Sequence, residues 1–127
     1  MTCFWDSILS CLKEDDYKFA NIGRGNRKHF ITQIKLRNRP MKSVKWQGKN
    51  LTDQEIKEHM EAIKDYNVNG IGSGHLTSIC DSFLLLICEL FNVSIIHKFL
   101  RTNIVYSHPK TRKTLRFKNN RGHFQVG

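Results

Sequence analysis

The sequence predicts an α+β domain, with N-terminal helices packed on a small antiparallel sheet. Three observations predict it. Phe4, Trp5, Ile8, Leu9, Cys11 and Leu12 recur at helical spacing at the start of the chain. Residues 78 to 91, Ser-Ile-Cys-Asp-Ser-Phe-Leu-Leu-Leu-Ile-Cys-Glu-Leu-Phe, are apolar nearly all round. After Asn92 the chain becomes a series of short β-branched and aromatic runs separated by turn residues. A length of 127 residues supports one core, hence one domain spanning 1–127.

The elements follow in order. The first helix starts near Cys3 and buries the stripe just named, leaving its first turn at a cleft. Asn21 to Asn26 reads as a mobile connection, and it lacks the Lys-Ser/Thr of a phosphate loop. Phe30-Ile31-Thr32-Gln33-Ile34-Lys35-Leu36 alternates as a short strand that Arg39-Pro40 ends. Thr52 and Glu55 form a capping-box pattern for a helix running to Lys64, with Ile56, Met60 and Ile63 as its buried stripe. The acids Asp53, Glu55, Glu58, Glu61 and Asp65 cluster along it. Residues 69 to 75 carry Gly70, Gly72 and Gly74 and read as a glycine-rich loop. The run 78–91 is too short to cross a bilayer and so reads as a central buried helix, capped by Thr77 or Ser78. Strands are expected at Val93–Phe99, Asn103–Tyr106, Lys113–Phe117 and His123–Val126, as an antiparallel meander with His108 to Thr111 as a turn.

Cys3 and His123 carry the most chemistry. A thiolate is the nucleophile of a cysteine hydrolase, and a helix N-terminus with a nearby imidazole favours it. Cys3 equally fits a small buried hydrophobe. His75 is a second candidate base, whereas His29, His59, His97 and His108 read as surface or strand-face residues.

Composition bounds the setting. Cys3/Cys11 and Cys80/Cys88 lack the close pairing of a zinc site, so neither a metal nor a disulfide scaffold is expected, and the compartment reads as reducing. No signal peptide or long apolar run appears, so membrane insertion is not expected. The formal charge is +10, and residues 24–49 and 101–121 hold sixteen of the twenty-one Lys and Arg with no acid. Phosphate backbones would suit those tracts, with Phe30, Trp46, Tyr106 and Phe117 as stacking platforms, so a basic nucleic-acid-binding module stands as an alternative function. No helix-turn-helix, zinc-finger or RNP signature organises them. A solvated basic surface explains them as well.

Cys3-Phe4-Trp5-Asp6-Ser7-Ile8, Leu84 to Phe91 leading into Val93-Ser94-Ile95, and His123-Phe124 together resemble the ovarian-tumour (OTU) family of cysteine proteases, most of all its compact viral members. Viral papain-like proteases share the aromatic after the nucleophile and the late histidine. The resemblance covers both ends and the middle, and little of residues 20 to 50. It implies an OTU-like, papain-like fold and a thiol protease cleaving after the Gly-Gly tail of ubiquitin or a ubiquitin-like modifier, with polyprotein cleavage as a second activity. It also implies a domain cut from a larger viral protein and acting in the host cytoplasm, without cofactor. Cys3 becomes the nucleophile, His123 the general base and Gln125 the orienting residue, with Asn119 and Asn120 as substitutes. Trp5, Phe124, Gly72 and Gly74 become substrate-binding positions, the glycines because a channel for a Gly-Gly tail excludes side chains. Glu58 and Glu61 would meet the basic tail of the modifier. Two departures stand out: the family's Asp-Gly-Asn before the cysteine is replaced by Met1-Thr2, and its Asp or Asn after the histidine by Gln125. The first implies a trimmed N-terminus or an oxyanion held by the Cys3 amide and other donors. Besides the modifier, weak nucleic-acid contact through the basic tracts is the other expected partnership. A domain that binds the modifier without cutting it is a further alternative.

Overall fold

Every residue from Ser82 to Phe91 is buried, and the rest of the chain is arranged around that helix. The computed structural model describes residues 2–70, 79–120 and 123–127, without the side chains of Thr2, Gly70 and Asn120. In chain order the elements are α1 (Thr2–Cys11), α2 (Glu14–Ala20), α3 (Arg27–Leu36), β1 (Lys45–Trp46), β2 (Lys49–Asn50), α4 (Asp53–Asp65), a 3-10 turn (Val68–Gly70), α5 (Ile79–Phe91), β3 (Ser94–Phe99), β4 (Thr102–Ser107), β5 (Thr114–Asn120) and β6 (His123–Val126). The described residues therefore form a mixed α/β domain of five α-helices and one six-stranded sheet.

The sheet order is β2-β1-β4-β3-β5-β6. Every neighbouring pair is antiparallel except β3 and β5, which are parallel, with Ile95 opposite Leu115 and His97 opposite Phe117. The expected meander is thus corrected. After β3, β4 folds back on one side of it, and residues 108 to 113 then carry the chain to the other side. That outward-and-back path is the crossover a parallel pair requires.

Local chemistry explains the ends of the helices. Thr52 Oγ1 accepts from the Glu55 amide at 3.1 Å, and Glu55 Oε1 accepts from the Thr52 amide at 2.9 Å, the capping box read from the sequence. Ile56 and Ile63 are buried and Met60 half-buried, as the stripe requires. Asn92 adopts φ 51°, a left-handed residue that stops α5 where the pattern breaks. The segment expected as a strand at Phe30–Leu36 is instead helix α3. Asn26 Oδ1 accepts from the His29 amide at 2.9 Å and closes its first turn. Phe30, Ile31 and Ile34 then share the buried face, while Leu36, which strand alternation would bury with Phe30 and Ile34, is 74% exposed.

Asp16 fastens the first helices to the sheet. Its buried carboxylate accepts from the Lys13 amide at 2.7 Å, from Arg112 at 2.7 Å and from Lys113. Arg112 and Lys113 lie just before β5, so this cluster fixes the start of the β5–β6 hairpin against α2.

Candidate active site

Helix α1 presents two parallel stripes. Phe4, Trp5, Ile8 and Leu12 are buried in the core, each side chain contributing about 1.5–3 kcal/mol relative to exposure. Cys3, Ser7 and Cys11 follow at four-residue spacing along the neighbouring line and are half-buried. That line tracks the β5–β6 hairpin. Lys113 Nζ, at the foot of β5, donates to the Cys11 carbonyl at 3.3 Å, and Ser7 Oγ donates to the Phe124 carbonyl at 3.2 Å. The Phe4 and Phe124 rings pack with centroids 4.9 Å apart. Cys3 lies one helical turn before Ser7, and His123 one residue before Phe124. Both backbones therefore belong to the same end of the α1–β6 contact, toward the hairpin turn.

Side-chain directions are less simple. Phe124 faces α1, so strand alternation turns His123 and Gln125 to the other face of β6. His123 is exposed, and Gln125 is half-buried opposite Lys118. Among the described residues no hydrogen bond engages Cys3 Sγ or the His123 ring. Among the described residues β6 is the edge strand, with no further strand on its outer side.

Several expectations are corrected. Trp5 and Phe124, expected to bind substrate, are 0% and 1% exposed. Trp5 is enclosed by Phe4, Phe30, Tyr66 and Phe83, and its indole N–H donates to Tyr66 Oη at 3.3 Å. Asn119 faces the Phe124 side of the hairpin and is bonded to His97, so it does not orient His123. Of the histidines read as surface or strand-face residues, His97 does lie on strand β3, whereas His59 on α4 and His108 after β4 are neither on strands nor fully exposed. His97 and His108 are buried, and half-buried His59 meets Ser82 Oγ at 2.7 Å. Burial pushes the His59 pKa down, against the nearby charges of Asp81, Glu55 and Glu58, which pull it up. Gly72, Gly74 and His75, with Thr77 and Ser78, lie outside the described residues.

The His97–Asn119 pair is the feature that sequence reasoning missed. Asn119 Oδ1 is an acceptor, so His97 Nε2 donates to it, at 2.6 Å. That bond makes Nε2 the protonated nitrogen and leaves Nδ1, which is buried, without a partner among the described residues. The ring also packs on Phe124 at 5.0 Å. His97 thus ties β3 to the hairpin that carries His123. Nothing in the sequence around His97 signalled this bond, because its partners Asn119 and Phe124 come from β5 and β6, distant in the chain.

The charged surfaces also differ from expectation. Glu58 and Glu61 are exposed on α4, but Glu61 lines a groove with Lys42 and Lys57. Of the four aromatic platforms placed among the basic tracts, Phe30, Tyr106 and Phe117 are core residues and only Trp46 is exposed. Four of the described basic residues in these tracts form ion pairs: Arg27 with Asp6 at the surface, Arg39 with Glu89, and Arg112 and Lys113 with the buried Asp16. No described helix is long and apolar enough to cross a membrane. Comparison with protein-family models, with curated proteins and with solved structures finds no match to this chain.

Proposed function

We propose that the chain is an OTU-like cysteine protease of the papain-like group, acting on the Gly-Gly tail of ubiquitin or a ubiquitin-like modifier. The observation that carries this reading is the Phe4–Phe124 contact, which joins the immediate neighbours of Cys3 and His123 across the packed pair α1 and β6. Cys3 attacks the tail carbonyl as thiolate, and the Cys3 amide at the start of α1 helps hold the oxyanion. His123 gives its proton to the departing amine, leaving a thioester, then takes a proton from the water that releases the modifier. For this its ring comes round the open edge of β6 to Cys3 Sγ, a closure of the kind that substrate binding tightens. Gln125, on the same strand face as His123, orients the imidazole less strongly than a carboxylate would. Of the two acids assigned to the basic tail, Glu58 already accepts from Gln54 Nε2 at 3.0 Å, and Glu61 stands among lysines.

Cleavage of a fluorogenic modifier substrate tests the roles. Cys3→Ala and His123→Ala are expected to abolish turnover in a folded protein, and Gln125→Ala to lose less. A Cys3→Ala variant as active as the parent would end the assignment.

A further inference from the structure

Two cavities, of about 430 and 440 Å³, open side by side where α3 ends and α4 passes, with Asn38 and Lys64 belonging to both. Their apolar lining comes from Pro40, Ile56 and Met60 in one and from Leu36 and Val68 in the other. Together they form one groove of the size that binds a short peptide or a small ligand.

Two further observations indicate what fills it. Asn38 Nδ2 donates to the Met60 carbonyl at 2.9 Å, whereas Asn38 Oδ1 is buried and accepts from no described residue. A buried acceptor on a groove-lining residue, without a partner among the described residues, calls for a donor, and a backbone N–H is the commonest one. The rim is basic as well. Lys42, Lys57 and Lys64 form no ion pair among the described residues, and the cavity at Leu36 holds Lys35 and Lys64 with no acid. On the other side Asp53 is the first residue of α4, where its charge answers the helix dipole, and Glu61 stands among the lysines.

We propose that this groove docks a segment of a partner protein in which large apolar side chains alternate with Asp or Glu. The apolar side chains fill the two cavities, a backbone amide donates to Asn38 Oδ1, and the carboxylates meet Lys42, Lys57 and Lys64. A nucleic acid would leave the apolar lining unused. The groove shares Glu61 with the surface assigned to the modifier's tail but uses none of the residues assigned to acyl transfer, and peptide binding and turnover are read separately, so either reading can fail alone.

A displayed library of random dodecapeptides, panned on the whole protein, tests it. Enriched peptides should combine acidic and large apolar residues. Their binding should weaken about tenfold or more in Leu36→Glu and in Lys57→Glu/Lys64→Glu, exposed positions whose change leaves the fold intact by circular dichroism, and it should weaken with added salt. Absence of enrichment, enrichment of basic peptides, or peptides indifferent to both variants would overturn the proposal. So would self-association or binding to anionic vesicles that Leu36→Glu abolishes, since the occupant would then be a second copy or a lipid surface.

Discussion

Phe4 and Phe124 pack with centroids 4.9 Å apart and planes inclined at 55°, locking the first turn of α1 onto β6. Phe124 also touches Phe117 at 4.8 Å and His97 at 5.0 Å, so the contact continues into the sheet. In the proposed mechanism, the approach of His123 to Cys3 would therefore depend on a side chain that does no chemistry.

Phe124→Ala should cost about 3–5 kcal/mol, as for a fully buried aromatic, readable as a lower urea midpoint. Phe124→Leu keeps most of the burial and should stay folded, yet lose kcat more than KM as the hairpin shifts on α1. Unchanged kcat in a folded Phe124→Leu protein would show that the contact only stabilises.

Acid should loosen the attachment of α2. Burial alone would raise the Asp16 pKa, but hydrogen bonds from Lys113, the Lys13 amide and Arg112, together with the Lys113 charge, outweigh it and hold the pKa below the usual carboxylate value. The folded-state pKa is depressed, so the stabilisation is complete above the unfolded value of about 4 and is lost as pH falls through the folded value. Asp16→Asn should cost about 2–3 kcal/mol at neutral pH, less than for a fully enclosed pair because both cations reach solvent. Urea midpoints of the two proteins, measured from pH 7 downward, should converge in acid. A gap that stays constant with pH would remove Asp16 from this role.

The His97 tautomer can be read directly. Because Asn119 Oδ1 accepts from Nε2, a long-range nitrogen–proton NMR spectrum at neutral pH should show His97 as the Nε2–H form. Asn119→Ala, which leaves Nε2 without its acceptor, should destabilise by about 1–3 kcal/mol. An Nδ1–H form would contradict the arrangement.

Legibility in the sequence followed how local each cause is. α4 was legible because its capping box and its stripe lie within one segment, and α5 because a run apolar on every side has only the interior to occupy. α3 was misread because seven residues fit both a period of two and one of 3.6, and the deciding bond, from Asn26, lies outside them. Strands β1 and β2, of two residues each, carry no periodicity at all, and their turn at Gln47 (φ 53°) and Gly48 (φ 78°) lacks the usual Asn-Gly or Asp-Gly. The parallel partnership of β3 and β5 is set by a connection whose path no local pattern encodes.

In the candidate site, the half-buried position of Cys3 follows from the stripe of α1, and the place of His123 at the start of a strand from its neighbours. The burial of Trp5 and Phe124 was not legible, since an aromatic beside a proposed catalytic residue reads the same whether it lines a cleft or fills a core. The same holds for His97 and Asn119, which only the sheet brings together.

The most direct measurement is reaction with a ubiquitin carrying an electrophile in place of its C-terminal carboxylate, followed by mass spectrometry of the adduct. The account predicts one adduct, on Cys3, absent in Cys3→Ala and slowed in His123→Ala. An adduct on Cys11, or no adduct while the folded protein is intact, would contradict it.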